Sequence, residues 1–315
     1  MHILAKRHHL GIDCGGTKFG GIVLDGNWRR LAYHEVPTRK EWTTREMQTL
    51  LESFLNELLL RASITRKTVR SVGIGVPGPV DEHGIVQKIG NLPSLARVRF
   101  ADLFPNVPTS VWNDAACSAY GESIAGALSE STQGVHLTLG TGVGGAVVSK
   151  SDARALFGLR HVTEVTHIEI GRTVMNIRAV ASAARHEPYE LEDFCSRKFF
   201  LRSTKRSIPE LFEAWKTKER QARTLFDEYG RNVGALLASV ESIFKPDTIS
   251  LSGGCIHALP AFRDAMHQSF RKYRFLPGAP ARIAVTTLAR EGGAFGAALY
   301  GIAGVRKGDR RNRLS

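Results

Sequence analysis

The chain has 315 residues, of which 43% are apolar and 8% aromatic, enough apolar side chains to bury the cores of two lobes. This composition excludes a disordered chain. Every apolar run is shorter than a membrane span and is interrupted by Gly, Arg or Asp, and the start of the chain lacks a signal peptide's apolar region. We therefore expect an α/β protein of the cytoplasm with no membrane partner.

The formal net charge of +13 would by itself suit a nucleic-acid partner. The basic residues are scattered, however, apart from a group within the last ten positions. No basic motif interleaved with aromatic residues and no helix-turn-helix pattern precedes the first strand. We therefore expect no nucleic-acid partner, and we interpret the C-terminal tail as solvated, with mild attraction for anionic nucleotides.

Apolar periodicity and turn residues divide the chain into strands and helices. Runs rich in β-branched residues predict strands, and apolar side chains recurring at helical spacing predict helices. In chain order these patterns predict strands over 10–13, 29–37 and 72–76 with a helix over 43–62, then strands over 135–139 and 248–251 with a helix over 222–244.

An internal repeat is the most informative feature of the sequence. Residues 16–23 align with residues 140–147, and five of the eight positions are identical. Each copy predicts a strand, a Gly/Thr turn and a second strand, because glycine allows positive φ and a close approach of the backbone to a ligand. We call residues 15–18 the first turn and residues 140–144 the second turn.

Such turns direct several backbone N–H groups to one place, which creates an anion site. One turn alone is weak evidence, since tight hairpins use the same residues, but two facing turns would hold a polyphosphate from both sides. A P-loop is excluded, and a strand rather than a helix follows each turn, which disfavours a Rossmann site. The candidate phosphate-binding residues are Gly15, Gly16, Thr17, Lys18, Gly140, Thr141, Gly142 and Gly144.

The order of the motifs resembles the ROK family, a group of repressors and sugar kinases within the actin/Hsp70/hexokinase-like superfamily. The resemblance covers residues 9–302. The motifs that carry it are D-x-G-G-T-K from Asp13, L-G-T-G-x-G-G from Leu139, S-G-G from Ser252 and G-G-A-F-G-A-A from Gly292.

The resemblance implies a two-lobed actin/hexokinase-like (ribonuclease H-like) α/β fold with duplicated domains and mixed central sheets. It places a small lobe over 1–112 plus about 290–315, and a large lobe over 113–289. It also implies ATP and Mg²⁺ as cofactors, with Gly253 and Gly254 at the adenosine, and phosphorylation of a hexose or N-acyl-hexosamine. A homodimer is the common assembly of the family.

The segment V-W-N-D-A-A, which begins at Val111, is similar to the family's N-D-A-N motif. The resemblance makes Asp114 the base that activates the sugar hydroxyl and Asn113 a sugar ligand; the alternative is that either residue only caps the following helix. Asp13 would hold Mg²⁺ through water, unless it is simply an Asp at a hairpin corner.

Two further loops resemble segments that line the sugar in the family. The residues concerned are Gly75, Pro77, Gly78 and Asn91. Ordinary turns use the same residue types, so both interpretations stay open.

The sequence departs from the family where many members carry E-I-G-H and a cysteine-rich C-x-C-G-x-x-G-C-x-E segment that bind zinc. Here Arg172 replaces the metal-binding His. The cysteines, at positions 14, 117, 195 and 255, form no C-x-x-C pair, and none lies between 117 and 195. Four zinc ligands are therefore missing, and we expect buried thiols and no zinc site.

Two glutamates remain as candidates for the sugar carboxylates of the family. Glu169 is preferred over Glu164 because the residues after it, Ile170 and Gly171, also match the motif. Glu192 stands where the second glutamate is expected, although a solvated helix residue is the alternative. We hypothesise that Arg172 pairs with a carboxylate and so takes over part of the ordering role of the metal.

Two other functions compete with an ATP-dependent sugar kinase. A non-catalytic, sugar-sensing regulator is disfavoured because only about eight residues precede the first strand, too few for a DNA-reading segment. Another ATPase of the same superfold is the third interpretation, because a fold does not fix a reaction.

Overall fold

A computed structural model describes residues 7–39, 42–81, 84–86, 93–96, 98, 100–151, 162–175 and 190–311. Contacts divide the chain into two compact units. Unit 1 consists of Met1–Gly126 and Leu288–Ser315, and unit 2 consists of Ala127–Thr287. Within the described part of the chain, no helix combines the length and the apolar character that a bilayer span requires.

The described chain folds into both strands and α-helices, numbered from the N-terminus. The strands are β1 (His8–Cys14), β2 (Lys18–Leu24), β3 (Arg30–Pro37), β4 (Val69–Val76), β5 (Thr109–Asn113), β6 (Gln133–Leu139), β7 (Val143–Ser151), β8 (Val162–Ile168), β9 (Thr248–Ser252) and β10 (Arg282–Val285). The helices are α1 (Thr44–Arg61), α2 (Asp114–Ala125), α3 (Leu191–Cys195), α4 (Arg197–Ser203), α5 (Ile208–Lys216), α6 (Arg220–Phe244), α7 (Leu259–Tyr273) and α8 (Gly292–Arg311).

The two units contain sheets of the same topology. In unit 1 the described strands have the order β3-β2-β1-β4-β5, and in unit 2 the order β10-β9-β6-β7-β8. In each sheet three consecutive strands form an antiparallel meander. The next strand of the sheet pairs in parallel with the first strand of the meander, and the last strand pairs in parallel with that one. The predicted duplication and the mixed character of the sheets are therefore confirmed.

The first helix of unit 1, α1, begins where the sequence predicts. Thr43 is the N-cap of α1: its side chain accepts a hydrogen bond from the backbone N–H of Glu46, and the Glu46 side chain accepts one from the Thr43 backbone N–H. This reciprocal capping box satisfies two backbone donors at the helix start. Apolar side chains at helical spacing, among them Phe54 and Leu58, are buried against the sheet.

The division into units differs from the boundary suggested by the family resemblance. The chain crosses into unit 2 after Gly126 rather than before residue 113, because α2 packs closely on α8. A Cβ on Gly296 of α8 would lie 2.6 Å from the carbonyl carbon of Cys117 in α2, so a side chain does not fit at this contact. Asp114, the first residue of α2, consequently lies in the same unit as Asp13.

The core of unit 2 forms where α6 and α7 cover the sheet. Tyr229 of α6 is fully buried, and its hydroxyl donates to the carbonyl oxygen of Cys195 at 2.9 Å. This hydrogen bond satisfies a polar atom that would otherwise weaken the apolar core. All four cysteines are buried with free thiols, as predicted.

Candidate active site

The first turn joins β1 to β2, as the repeat predicts. β1 and β2 pair in antiparallel register, with Asp13 opposite Gly20. Thr38, which follows β3, braces the turn: its hydroxyl donates to the carbonyl oxygen of Gly15 and its N–H to that of Thr17, both at 2.8 Å. No sequence pattern points to Thr38, because only the meander brings the end of β3 back to this turn.

Parallel pairing gathers the other predicted residues of unit 1 at one sheet edge. Gly75 of β4 lies opposite Asp13 of β1 on one side and Trp112 of β5 on the other. Gly78 follows β4, and Asp114 follows β5. The carboxyl ends of parallel strands form one edge of a sheet, the usual place for ligands in open α/β sheets. Asn91 lies outside the described residues.

Asp13 is in an electrostatically unfavourable position. Burial, followed by the charge of Asp114, raises the pKa of Asp13 to about 7, against the smaller effect of Lys18. Desolvation and a neighbouring like charge both disfavour an ionised carboxylate. A cation bound here would relieve the repulsion between the two carboxylates.

Asn113 is the N-cap of α2, which is the capping role left open by the sequence. Its Oδ1 accepts hydrogen bonds from the N–H groups of Ala115 at 2.9 Å and Ala116 at 3.1 Å. Its Nδ2 donates to the carbonyl oxygen of Gly78 at 3.3 Å, which links α2 to the loop after β4. Asp114 Oδ1 also accepts from Ala115 N–H at 2.8 Å. These contacts fix the direction in which α2 leaves the sheet.

Lys18 forms an ion pair that no local sequence pattern indicates. Its Nζ lies 2.7 Å from Glu35 Oε2 on β3. The same carboxylate accepts a hydrogen bond from the Tyr33 hydroxyl at 2.8 Å and pairs with Arg290 at 3.2 Å. The hydrogen bond from Lys18 is the main cause of the lowered pKa of Glu35. Glu35 therefore holds the lysine of the first turn.

The second turn joins β6 to β7 and is closed by backbone hydrogen bonds. Gly140 N–H donates to the carbonyl oxygen of Gly142 at 3.0 Å, and Arg197 N–H donates to that of Gly140 at 2.9 Å. A Cβ built on Gly140 meets no atom within 4 Å, so this backbone faces open space. Thr141 lies between these two glycines, and Gly144 pairs with Thr138 in the adjoining hairpin.

The S-G-G segment reaches the same edge of the second sheet, because β9 runs parallel to β6. Gly253 has φ of 96°, and a Cβ there would lie 2.6 Å from the carbonyl carbon of Leu139. Both the positive φ and the close approach require glycine. A Cβ on Gly254 would meet no atom within 4 Å. Gly140 and Gly254 thus leave room for a ligand to contact the backbone.

A buried histidine anchors the S-G-G segment from within the sheet. His136 Nδ1 lies 2.7 Å from Ser250 Oγ, and Nε2 lies 3.0 Å from Ser252 Oγ. Burial lowers the pKa of His136 to about 4, so the ring is neutral at physiological pH. Sequence reasoning missed the role of His136, because its partners Ser250 and Ser252 lie 114 and 116 residues further along the chain.

The E-I-G-R segment packs on the start of β7, next to the second turn. A Cβ on Gly171 would lie 3.2 Å from the carbonyl carbon of Val143. The side chain of Glu169 is about half exposed, and its Oε1 lies 3.5 Å from Nε2 of His167. Glu164 is exposed within β8 and pairs with Ser149, further along the strand from the second turn. This placement favours Glu169 over Glu164 as a residue near the turn.

Glu192 is buried, and its surroundings differ from those of a solvated helix residue. Its Oε1 lies 2.5 Å from Lys198 Nζ and 3.2 Å from Arg172 Nη1. Arg172 also contacts Glu190, with Nη1 2.8 Å from Oε2. The hypothesis that Arg172 pairs with a carboxylate is confirmed. Glu192 Oε2 approaches Gly142, where it would collide with a side chain.

The residues present suit a nucleotide and a magnesium ion. Open backbone at Gly140 and Gly254 could receive phosphate oxygens and a nucleoside. Among the described residues, no group of three or more His, Cys, Asp or Glu side chains could hold a metal ion. Magnesium usually takes one or two protein carboxylates and completes its shell with water and phosphate, which matches Asp13.

Known proteins resemble this chain over most of its length. The glucokinase of Halalkalibacterium halodurans is 25% identical over 322 residues, covering 93% of this chain and 94% of the relative. The N-acetyl-D-glucosamine kinase of Citrobacter koseri is 27% identical over 265 residues, covering 78% and 84%. These kinases differ in the sugar that their names give.

Structural comparison agrees with the sequence comparison. A ROK family glucokinase from Streptomyces griseus, crystallised with glucose and AMPPNP, superimposes with a TM-score of 0.73 at 24% identity, over 94% of this chain and 99% of that one. The two sheets and their helices thus form the expected α/β, hexokinase-like fold. The sequence profile of the ROK family matches residues 9–302, and the protein therefore belongs to the ROK family.

Proposed function

We propose that the protein transfers the γ-phosphoryl group of ATP to a hydroxyl of a hexose or N-acyl-hexosamine. The observation that carries this proposal is the electrostatic coupling of Asp13 and Asp114 at one edge of the first sheet. Phosphoryl transfer needs a ligand for the cation and an acceptor for the hydroxyl proton, and two neighbouring carboxylates can divide these roles. The names of the two kinase relatives support the proposal.

Asp114 is the proposed general base. The sugar hydroxyl oxygen forms a bond to the γ-phosphorus while the bond from this phosphorus to the bridging oxygen of ADP breaks. The hydroxyl proton passes to the Asp114 carboxylate and then to solvent. Magnesium, when bound, neutralises charge on the phosphates, and we assign its protein contact, through water, to Asp13.

The remaining predicted residues bind the two substrates in this proposal. The first and second turns contact phosphate oxygens, and Gly253 and Gly254 receive the adenosine. We assign sugar binding to the residues that the family resemblance implies, namely Asn113, Asn91, Gly75, Pro77, Gly78, Glu169 and Glu192. The capping bonds of Asn113 engage its Oδ1 twice, and one N–H of its Nδ2 donates to Gly78. We therefore assign the contact with a sugar oxygen to the second N–H of Nδ2.

A panel of sugars tests the proposal most directly. Purified protein is mixed with ATP, Mg²⁺ and glucose, mannose, fructose, N-acetylglucosamine or N-acetylmannosamine, and ADP release is followed. We expect release that depends on at least one sugar. Release without sugar would indicate another ATPase, and sugar binding without any release would indicate a sensing protein.

A further inference from the structure

Arg172 joins two segments of unit 2 that are distant in sequence. It ends a short 3-10 turn at Ile170–Arg172, and its guanidinium contacts Glu190 at 2.8 Å and Glu192 at 3.2 Å. The Arg172 pKa is raised: burial opposes the charge, but the hydrogen bond to Glu190 and the charges of both glutamates outweigh it. One planar cation thus neutralises two carboxylates at the start of α3.

Backbone contacts fix the two segments beside each other. Leu191 N–H donates to the carbonyl oxygen of Thr173 at 2.8 Å, and Val174 forms an antiparallel bridge with Glu190. The ion pairs of Arg172 therefore continue a short ladder, and the side chains need little further ordering to meet.

Both segments contact the second turn. The 3-10 turn contacts the second turn at Val143, because a Cβ on Gly171 would lie 3.2 Å from the carbonyl carbon of Val143. From the other segment, Glu192 Oε2 approaches Gly142. The side chain of Glu192 is only 8% exposed, and a buried carboxylate is stable only when cations and donors surround it. Without Arg172, Lys198 would be the remaining cation that contacts Glu192 among the described residues.

We infer that Arg172 is a positioning residue for the second turn. Its ion pairs hold Glu192 beneath Gly142, and this contact keeps the backbone N–H groups of the turn directed at the ligand. Arg172 therefore sets the affinity for nucleotide without touching it. The identity of the ligand as ATP rests on the proposed function; the coupling of Arg172 to the turn rests on the ion pairs themselves.

A double-mutant cycle on ATP binding tests this inference. The dissociation constant of Mg·ATP, without sugar, is measured calorimetrically for wild type, Arg172→Gln, Glu192→Gln and the double variant. We expect each single change to weaken binding by about tenfold and the double variant to match the singles, because both act through one contact. If the two residues acted independently, the fold-changes in the dissociation constant of the single variants would multiply in the double variant.

The control is another ion pair of unit 2, between Arg206 and Glu219, with 2.6 Å between Nη1 and Oε1 and side chains that are 36% and 39% exposed. Replacing both residues with Gln should leave the ATP affinity unchanged. Arg172→Lys keeps the charge without the planar fork and should bind with intermediate affinity; it replaces Arg172→Gln where that variant does not fold.

Two results would overturn the inference: an Arg172 variant that binds ATP as wild type does, or effects at Arg172 and Glu192 that multiply. Failure of the proposed function gives a different pattern. In that case wild type binds ATP, and the Arg172→Gln and Glu192→Gln changes still do not multiply in the double variant. No sugar in the panel, however, promotes ADP release.

Discussion

The carboxylate of Asp13 lies against Gly293, the second residue of α8. A Cβ on Gly293 would lie 2.7 Å from Asp13 Cγ and closer still to Oδ2. The N-terminus of a helix favours a negative charge, so this contact opposes the desolvation of Asp13. Glycine at 293 allows the carboxylate to reach the helix end.

Replacing Gly293 with alanine should therefore displace the carboxylate. We expect Gly293→Ala to lower sugar-dependent ADP release by at least about tenfold, since small displacements of catalytic groups are costly. The neighbouring Gly292→Ala is the control, because a Cβ there meets its nearest atom at 3.3 Å, on Leu288. Equal activities of the two variants would contradict the prediction.

The raised pKa of Asp13 predicts a pH-dependent stability. In the unfolded chain Asp13 ionises near its ordinary pKa of 3.8, and in the folded protein its pKa is about 7. The folded state therefore binds the proton more tightly, and stability decreases as pH rises from about 4 to 7. Asp13→Asn, which stays neutral, should remove this decrease.

Thermal melts without metal or nucleotide measure this effect. The full pKa shift corresponds to at most about 4 kcal/mol, and remaining solvent contact and the helix end reduce the expected gain to about 2 kcal/mol. We expect Asp13→Asn to be more stable than wild type at pH 8, with no such gain at pH 4. A gain of equal size at both pH values would rule out a titrating Asp13.

Asp114→Asn should remove the proton acceptor and retain the fold. General-base catalysis commonly contributes about 10²–10⁴-fold, so we expect kcat to fall by a factor in this range. The Kd values for ATP and sugar should change little, since the amide keeps the shape of the side chain. Full turnover in this variant would remove Asp114 from the mechanism.

Two glycines of the second turn should respond differently to alanine. Gly142→Ala would collide with Glu192, and we expect a loss of about 1–3 kcal/mol of folding stability. Gly140→Ala meets no protein atom within 4 Å, so its melting temperature should be that of wild type. Its ATP affinity should nevertheless fall by about tenfold, since the methyl group would occupy space proposed for phosphate. A normal ATP affinity in Gly140→Ala would place the ligand elsewhere.

The purified protein should contain no stoichiometric zinc. Arg172 and Glu190 form an ion pair beside Glu192, where the family motif would place metal ligands. Elemental analysis measures the metal content, and dialysis against a chelator should leave the melting temperature unchanged. One zinc ion per chain would contradict this prediction.

Local patterns predicted most of the fold. The helix α1 follows from apolar spacing and the capping residue Thr43, and its observed bounds differ from the predicted range by one residue at each end. The repeat at residues 16–23 and 140–147 predicted two equivalent hairpins, which the register of both sheets confirms. These features depend on residues close in sequence, so the sequence displays them directly.

Contacts between distant segments were decided by tertiary structure. The ion pair of Lys18 with Glu35 spans 17 residues, and the hydrogen bond between His136 and Ser252 spans 116. Periodicity carries no information about such partners, because it reports only which face of an element is buried.

Motifs and periodicity alone identify the family, the duplicated sheets and the turns that glycine allows. Tertiary structure alone decided that Asp114 shares a unit with Asp13 and that Glu192 is buried beneath Gly142. The physical reason is that electrostatic coupling and steric contact depend on distances in space, which are set only when the strands pair and the helices pack.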